Sequence, residues 1–300
     1  MMNKKKYKLP LVSIITVVYN RANTIEQCIK SVAEQTYPNI EYIIIDGESN
    51  DGTVEIINNN MEHVDQFISE QDTGIYNAMN KGIKLSKGEY VLLLNSDDWY
   101  HKETVSLLIA AASKTTSCSI IHANALAIGE TGKATYEIKP WLNDGIYTRG
   151  MPLRHETMLV PRKIYENYGI YNERYRILAD YEFVIRLYKK NISFEHVDTA
   201  LLYFRVNGIS NTDIIKLQEE RKLLFKTLFP FLDEESLDIM KAYQTRKHRF
   251  TLLAKNGRKS RLYSQSILYN IKSHFIRSAI ILFCELLYIN QRWINLILRK

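Results

Sequence analysis

The sequence predicts an α/β fold: a mostly parallel sheet flanked by helices, continued by a helical C-terminal extension. Three observations carry that expectation. Short apolar runs alternate with helical stretches from Leu11 to about Lys114, the pattern of βαβ units with right-handed crossovers. The apolar runs have the unbroken aliphatic content of strands covered on both faces. Beyond Thr212 the strand signals stop, and only one proline, Pro230, follows.

Taken in order, Leu11–Tyr19 is the first strand. Asn23–Gln35 reads as a helix with Ile25, Cys28, Ile29, Val32 and Ala33 on one face. Asn23 with Glu26 three residues later has the spacing of a capping box. Ile40–Asp46 is the second buried-type strand, ended by the turn Gly47–Gly52 and a short helix. Val64–Ser69 is the third strand, Ile75–Leu85 a helix that stops near Lys87-Gly88, and Glu89–Leu94 the fourth strand. Ile120–Ile128 and Lys133–Lys139 flank Gly129–Gly132 as a hairpin. A short strand at Thr157–Val160, a helix from about Ala179 to Lys190 and a strand-rich stretch Ile192–Phe204 complete a domain expected to span 1–212. Residues 213–300 form the helical, basic extension.

Three hundred residues, 46% hydrophobic and 24% charged, suffice for one large domain with an appendage and exclude a disordered chain. Cys28, Cys118 and Cys284 lie far apart without metal or redox spacing, so a reducing, cytoplasmic setting is expected. The basic segment Met1–Lys8 lacks the apolar core of a signal peptide. Residues 241–300 hold thirteen Lys or Arg against one acid, Glu285, which exceeds the +7 of the whole chain and leaves the rest net acidic. A basic tail on an acidic body suits a polyanion, either a membrane surface or a nucleic acid. No nucleic-acid module is present, so nucleic acid is not an expected partner. Phe275–Leu298 is densely apolar, but Glu285 interrupts it short of the ~20 residues that span a bilayer. With Arg277, Arg292, Arg299 and Lys300 around it, the stretch 260–300 reads as an amphipathic segment lying on an anionic membrane surface. Packing on the first domain, or on a second copy in a homo-oligomer, stays open.

Polar residues collect at the carboxyl ends of all four strands: Tyr19-Asn20, Asp46, Glu70-Gln71-Asp72, and Asn95-Ser96-Asp97-Asp98. Ligands of open α/β sheets bind at that edge. Two adjacent carboxylates there suit a hard divalent ion carrying a phosphate-bearing ligand. The plainer alternative is a cap for a helix near Lys102. Neither a dinucleotide-binding glycine fingerprint nor a P-loop follows the first strand. Phosphate is therefore expected to be neutralised through a carboxylate-held metal.

At this point a resemblance becomes specific. Val12–Asn20 resembles the opening strand of family-2 glycosyltransferases of the GT-A fold, and Ile43–Thr53 their second strand and acidic turn. Asn77–Ile83, Lys87–Tyr90 and Leu94–Asp98 continue the likeness in order; it is dense over 11–100, thinner to about 210, and absent from the tail. It implies a metal-dependent, inverting hexosyltransferase of the kind that builds bacterial cell-surface polysaccharides. A nucleotide-sugar, in the first place a UDP-sugar, would be the donor, and a lipid-linked or cell-surface glycan the acceptor. Catalysis would run on the inner face of the plasma membrane. Thr16, Tyr19, Asn20, Asp46, Asn80, Asn95 and Ser96 would then hold the nucleotide-sugar, with Asp46 accepting from a uracil ring. Asp97 would ligate Mg²⁺ or Mn²⁺ and Asp98 would support it; Asn95 stands where the family's DxD motif begins with an aspartate. Asp180, at the start of a helix, would be the base, with Glu182 as second candidate. His155, Arg205 and Ser210 would lie near the acceptor or the diphosphate, and Trp99 could face a sugar ring. Two other readings remain: a sugar-nucleotide-binding scaffold without catalysis, and a nucleotidyltransferase using the same metal edge.

Overall fold

The computed structural model describes residues 9–115, 118–129, 131–142, 146, 150–206, 214–228 and 230. Two compact units divide the chain, 1–146 with 150–220 and 147–149 with 221–300. Apart from the end of one helix, the second lies almost wholly outside the described residues, as do Ser210 and the stretch 260–300.

The first unit is built on a five-stranded sheet ordered β3-β2-β1-β4-β8. β1 (Val12–Val18), β2 (Ile40–Asp46), β3 (Gln66–Ser69) and β4 (Tyr90–Asn95) run parallel, and the short β8 (Val160–Pro161) closes one edge antiparallel to β4. Every residue of β1 is buried, as its apolar run requires of a central strand covered on both faces. The chain winds outward through α1 (Ile25–Ala33) and α2 (Thr53–Asn58), then returns through α3 (Ile75–Leu85) to set β4 on the other side of β1. This reversal opens a crevice at the carboxyl ends of β1 and β4. The helix α3 approaches β1 closely because Gly82 has no side chain: a Cβ there would lie 2.3 Å from Ile15 Cγ2.

A second sheet, ordered β5-β9-β6-β7, comprises β5 (Trp99–Tyr100), β6 (Ile120–Ile128), β7 (Ala134–Ile138) and β9 (Phe194–Arg205). The expected hairpin is β6–β7, and α4 (Thr104–Ala112) packs on β6 and β9 of this sheet. α5 (Arg162–Tyr168) and α6 (Ala179–Tyr188) follow β8, and α7 is Ile214–Leu228. Two local expectations are corrected. The capping box at Asn23 does not form: Thr24 takes the N-cap position without a side-chain cap, and Glu26 pairs with Lys30 instead. The strand expected at Thr157–Val160 starts late, because His155–Thr157 is a 3₁₀ turn. Among the described residues, no helix is long and apolar enough to cross a membrane.

Candidate active site

The registers Val18↔Asp46 and Val17↔Asn95 put the ends of β2 and β4 level on either side of β1. The tip after β4 is not a helix cap, since α4 begins at Thr104 with Glu103 at its N-cap. It is instead gripped from β9. Antiparallel pairing of Trp99 with Tyr203 brings Arg205 back to the tip. The Arg205 backbone N–H donates to Asp98 Oδ1 at 2.9 Å, and its guanidinium donates to the Asp97 carbonyl and, at 2.7 Å, to Gln27. The same guanidinium lies 4.6 Å over the Trp99 ring, whose other neighbour is the stacked ring of Tyr203. Trp99 is thus in contact with both Arg205 and Tyr203, and Arg205 ties β9 to the tip.

Asp98 is buried and Asp97 partly so. Burial, then the nearby Glu156 and Asp97 charges, push the Asp98 carboxyl well above its usual range. Burial also raises Asp97, helped by Glu156 and opposed by Arg21 and Arg205. Asn95 donates its amide to Glu156 Oε1 at 2.8 Å. Asn95 Oδ1, Asp98 Oδ2 and Glu156 Oε2 are buried and receive no hydrogen bond from the described residues. Bare oxygens among carboxylates are the surroundings a hard cation stabilises. Among the described residues no three His, Cys, Asp or Glu side chains form a ready metal cage. That too fits Mg²⁺ or Mn²⁺, which need only one or two carboxylates when phosphate oxygens complete the shell.

Asp180 opens α6, and Glu220 of α7 fixes its approach by accepting the backbone N–H groups of Arg176, Ile177 and Leu178. Tyr76 OH and the Tyr181 N–H reach Asp180 Oδ1 at 2.9 and 2.7 Å. His155 Nδ1 stands 3.4 Å from Asp180 Oδ2 and 3.5 Å from Glu156 Oε2. Burial would raise the Asp180 carboxyl, but His155 and Tyr76 outweigh it and hold the group below its usual range. Burial would likewise lower His155, yet Glu156 and Asp180 raise it. A continuous line of contacts therefore runs from Asp180 through His155 and Glu156 to Asn95 at the tip. Glu182 faces away and pairs with Arg186.

Four of the residues expected to touch the donor are also tied into the fold. Thr16 is fully buried, its hydroxyl bonded by Tyr42 OH and in contact with Cys28. Asn20, in the left-handed region at φ 51°, latches the β1 end to the β2 turn through Ser49 and Asn50. Asp46 is fully buried and accepts from the Ser49 N–H, the Ser49 hydroxyl and the Ser69 hydroxyl. Asn80 is buried on α3, bonded both ways to the Tyr171 backbone and to Glu173. Ser96 is buried within the tip. Tyr19, by contrast, is 58% exposed. Beside it, Asp72 Oδ2 stands 2.8 Å from where a Cβ on Gly47 would lie, so a side chain there would push the carboxylate aside. The sequence assigned no role to Glu156 or Tyr76; Asp72 was among the acids placed past the third strand, without a contact of its own.

Residues 13–195 match the family described as Glycosyl transferase family 2. A PGL/p-HBAD biosynthesis glycosyltransferase of Mycobacterium bovis is 29% identical over 216 residues, covering 69% of this chain and 82% of that one. An uncharacterized glycosyltransferase of Rickettsia prowazekii is 28% identical over 269 residues, 85% and 83% of the two chains. Among solved structures, S. aureus TarS 1–349 in complex with UDP-GlcNAc superposes with a TM-score of 0.60 at 21% identity, over 85% of this chain and 77% of that one. The chain spans 43% of the longer TarS structure. The mannosyltransferase PcManGT from Pyrobaculum calidifontis, in complex with GDP-Man and Mn²⁺, gives 0.60 at 14% identity, over 94% and 81%. These structural likenesses speak for the fold.

Proposed function

The chain belongs to glycosyl transferase family 2 and is a glycosyltransferase, and from that premise we propose that it moves a hexose from a UDP-sugar to an acceptor hydroxyl with inversion. In this reading residues 1–212 are the transferase domain and 213–300 its basic, helical extension. The reading is supported above all by the line of contacts joining an ionised Asp180 to the Asp97–Asp98 tip. The donor class draws support from the UDP-GlcNAc-bound TarS and the GDP-Man-bound mannosyltransferase.

Asp180 receives the acceptor's proton as the hydroxyl oxygen attacks the anomeric carbon from the face opposite the diphosphate. The new C–O bond forms as the sugar–phosphate bond breaks, and the electron pair leaves on the nucleoside diphosphate. Base assistance of this kind contributes ~10²–10⁴-fold. Tyr76 and His155 keep Asp180 aimed and ionised. Asp97, backed by Asp98, would hold Mg²⁺ or Mn²⁺, which when bound supplies charge neutralisation for the leaving diphosphate. Tyr19 offers its exposed ring to the base, with Asp46, and Asp72 beside Tyr19, as the candidate acceptors for the base's N–H group. The acceptor is a lipid-linked or cell-surface glycan precursor, met at the cytoplasmic face of an anionic membrane by residues 260–300; their charge supports this.

A panel of UDP- and GDP-sugars tests the reading. Release of nucleoside diphosphate should need Mg²⁺ or Mn²⁺ and vanish in Asp97→Ala. Absence of turnover across the panel, with Asp97→Ala indistinguishable from the parent, would overturn it. Liposome flotation tests the membrane part: equal recovery with and without residues 260–300 removes it.

A further inference from the structure

We propose that Glu156, acting through Asn95, supplies the negative charge missing at the cation end of the donor site, where a neutral amide stands in place of an aspartate. The inference rests on the metal reading above and assigns a positioning residue that the sequence motif does not contain.

Glu156 is 2% exposed, and its place is fixed from several sides. Its backbone carbonyl accepts Tyr100 OH at 2.7 Å, and the next residue, Thr157, bonds the Arg154 carbonyl at 2.8 Å and the Ala123 backbone. The 3₁₀ turn His155–Thr157 therefore presents the carboxylate to the end of β4, where Oε1 accepts the Asn95 amide at 2.8 Å. An ion pair with His155 accounts for only part of the arrangement. That contact is 3.5 Å long, and Glu156 Oε2, Asp98 Oδ2 and Asn95 Oδ1 are all still without a donor. A structural acid would be expected to be satisfied by the fold that buries it. Here three oxygens from two segments, the 95–98 tip and the 155–157 turn, are left bare.

The amide is the connecting piece. An Asn95 Nδ2 that donates to a carboxylate polarises its own carbonyl, so Oδ1 becomes the more electron-rich end of a hydrogen-bonded chain. Amide carbonyls are ordinary ligands of hard divalent ions. Asn95 and Glu156 together thus present to a cation what a lone aspartate would: an oxygen backed by one negative charge.

Mn²⁺ binding to the full chain in the presence of UDP, followed by electron paramagnetic resonance, tests this without reference to turnover. Glu156→Gln keeps the size and an acceptor for Asn95 but removes the charge; outer-shell losses of this type weaken metal binding about tenfold or more. Asn95→Asp combined with Glu156→Gln returns the charge to the first position of the motif and should recover the parent affinity to within roughly threefold, a fraction of that loss. A Glu156→Gln variant that binds Mn²⁺ like the parent, or a double variant no tighter than the single one, overturns the inference. If circular dichroism shows that Glu156→Gln does not fold, Glu156→Asp decides, because it keeps the charge and the Asn95 oxygen but draws the carboxylate back from the Asn95 amide by one methylene. Weaker Mn²⁺ binding supports the relay, and unchanged binding overturns it. Should the parent itself bind no Mn²⁺ with UDP, the metal reading falls and this inference with it.

Discussion

Asp46 and Asp98 end neighbouring regions of the same sheet edge, and both are buried, yet they are opposites. Asp46 is surrounded by neutral donors that its own turn and the next strand supply, Ser49 twice and Ser69 once. Asp98 receives one backbone N–H from Arg205, keeps one oxygen bare, and faces the carboxylates of Asp97 and Glu156. One acid is a structural knot and the other an unmet demand. What separates the two acids is the bare oxygen, on which the proposed cation site rests; the burial is common to both.

Asp180 gives the strongest test of that distinction, because it is partnered by Tyr76 and Tyr181 yet still 17% exposed at its side chain. Asp180→Asn keeps the shape and should lower kcat by ~10²–10⁴-fold, the usual worth of a general base. Asp46→Asn should leave kcat per folded molecule unchanged to within a small factor. Initial rates of nucleoside diphosphate release, normalised to folded protein, compare the two. Equal losses would erase the contrast.

Stability should run the other way. Asp46→Ala leaves the Ser49 N–H and hydroxyl and the Ser69 hydroxyl without their acceptor. Ser49 is half-buried and Ser69 exposed, so water replaces part of it and thermal and urea denaturation should show a loss of about 1–3 kcal/mol. Asp98→Asn keeps an acceptor for the Arg205 N–H and removes a charge that burial and two acids disfavour. Without divalent ions its Tm should equal or exceed that of the parent, while Mn²⁺ binding falls. A destabilised Asp98→Asn would mean that the tip is structural after all.

The same reasoning extends to two histidines, His122 buried and His155 half-buried, each with one buried ring nitrogen lacking a partner among the described residues. Burial and the stacked His196 push His122 down to about 4. The unfolded chain then binds more protons than the folded one between the ordinary histidine value and about 4. Stability is complete above that window and lost as pH falls through it, by about 2–3 kcal/mol. His155, raised by Glu156 and Asp180 against the effect of burial, has the opposite sign: its contribution is present below the ordinary value and fades as pH rises through the folded one. Urea titrations from acid to neutral pH should show His122→Phe flattening the acid side and His155→Gln the neutral side.

The strands and most helices were legible because apolar periodicity is local: Ile40–Asp46 and Ile75–Leu85 were read to the residue. The carboxyl edge was legible for the same reason. The fate of each acid on it was not, because satisfaction is a long-range property. Ser69 lies 23 residues from Asp46, Arg205 lies 107 from Asp98, and Tyr76 lies 104 from Asp180. Glu156 was illegible on both counts, being an acid in an irregular turn whose partner Asn95 is 61 residues away. For Thr16 the sequence does not show that a polar residue in a strand is also paired inside the core, here with Tyr42 and Cys28.

Arg205 offers the finest test, since its two groups serve different ends. The backbone N–H that reaches Asp98 survives any substitution, whereas the guanidinium ties the Asp97 carbonyl and Gln27 together over the Trp99 ring. Arg205→Lys keeps the positive charge and loses the fork and the flat face. The stack and the second hydrogen bond are together worth about 1 kcal/mol at a partly exposed site, or about fivefold. The loss should therefore appear as a modest rise in KM for the nucleotide-sugar, with kcat nearly unchanged, because Asp98 keeps its donor and only the aim of Asp97 is loosened. A fall in kcat as large as that of Asp180→Asn would instead put the guanidinium on the diphosphate, and the tip's grip would have to be assigned to the β5–β9 pairing alone.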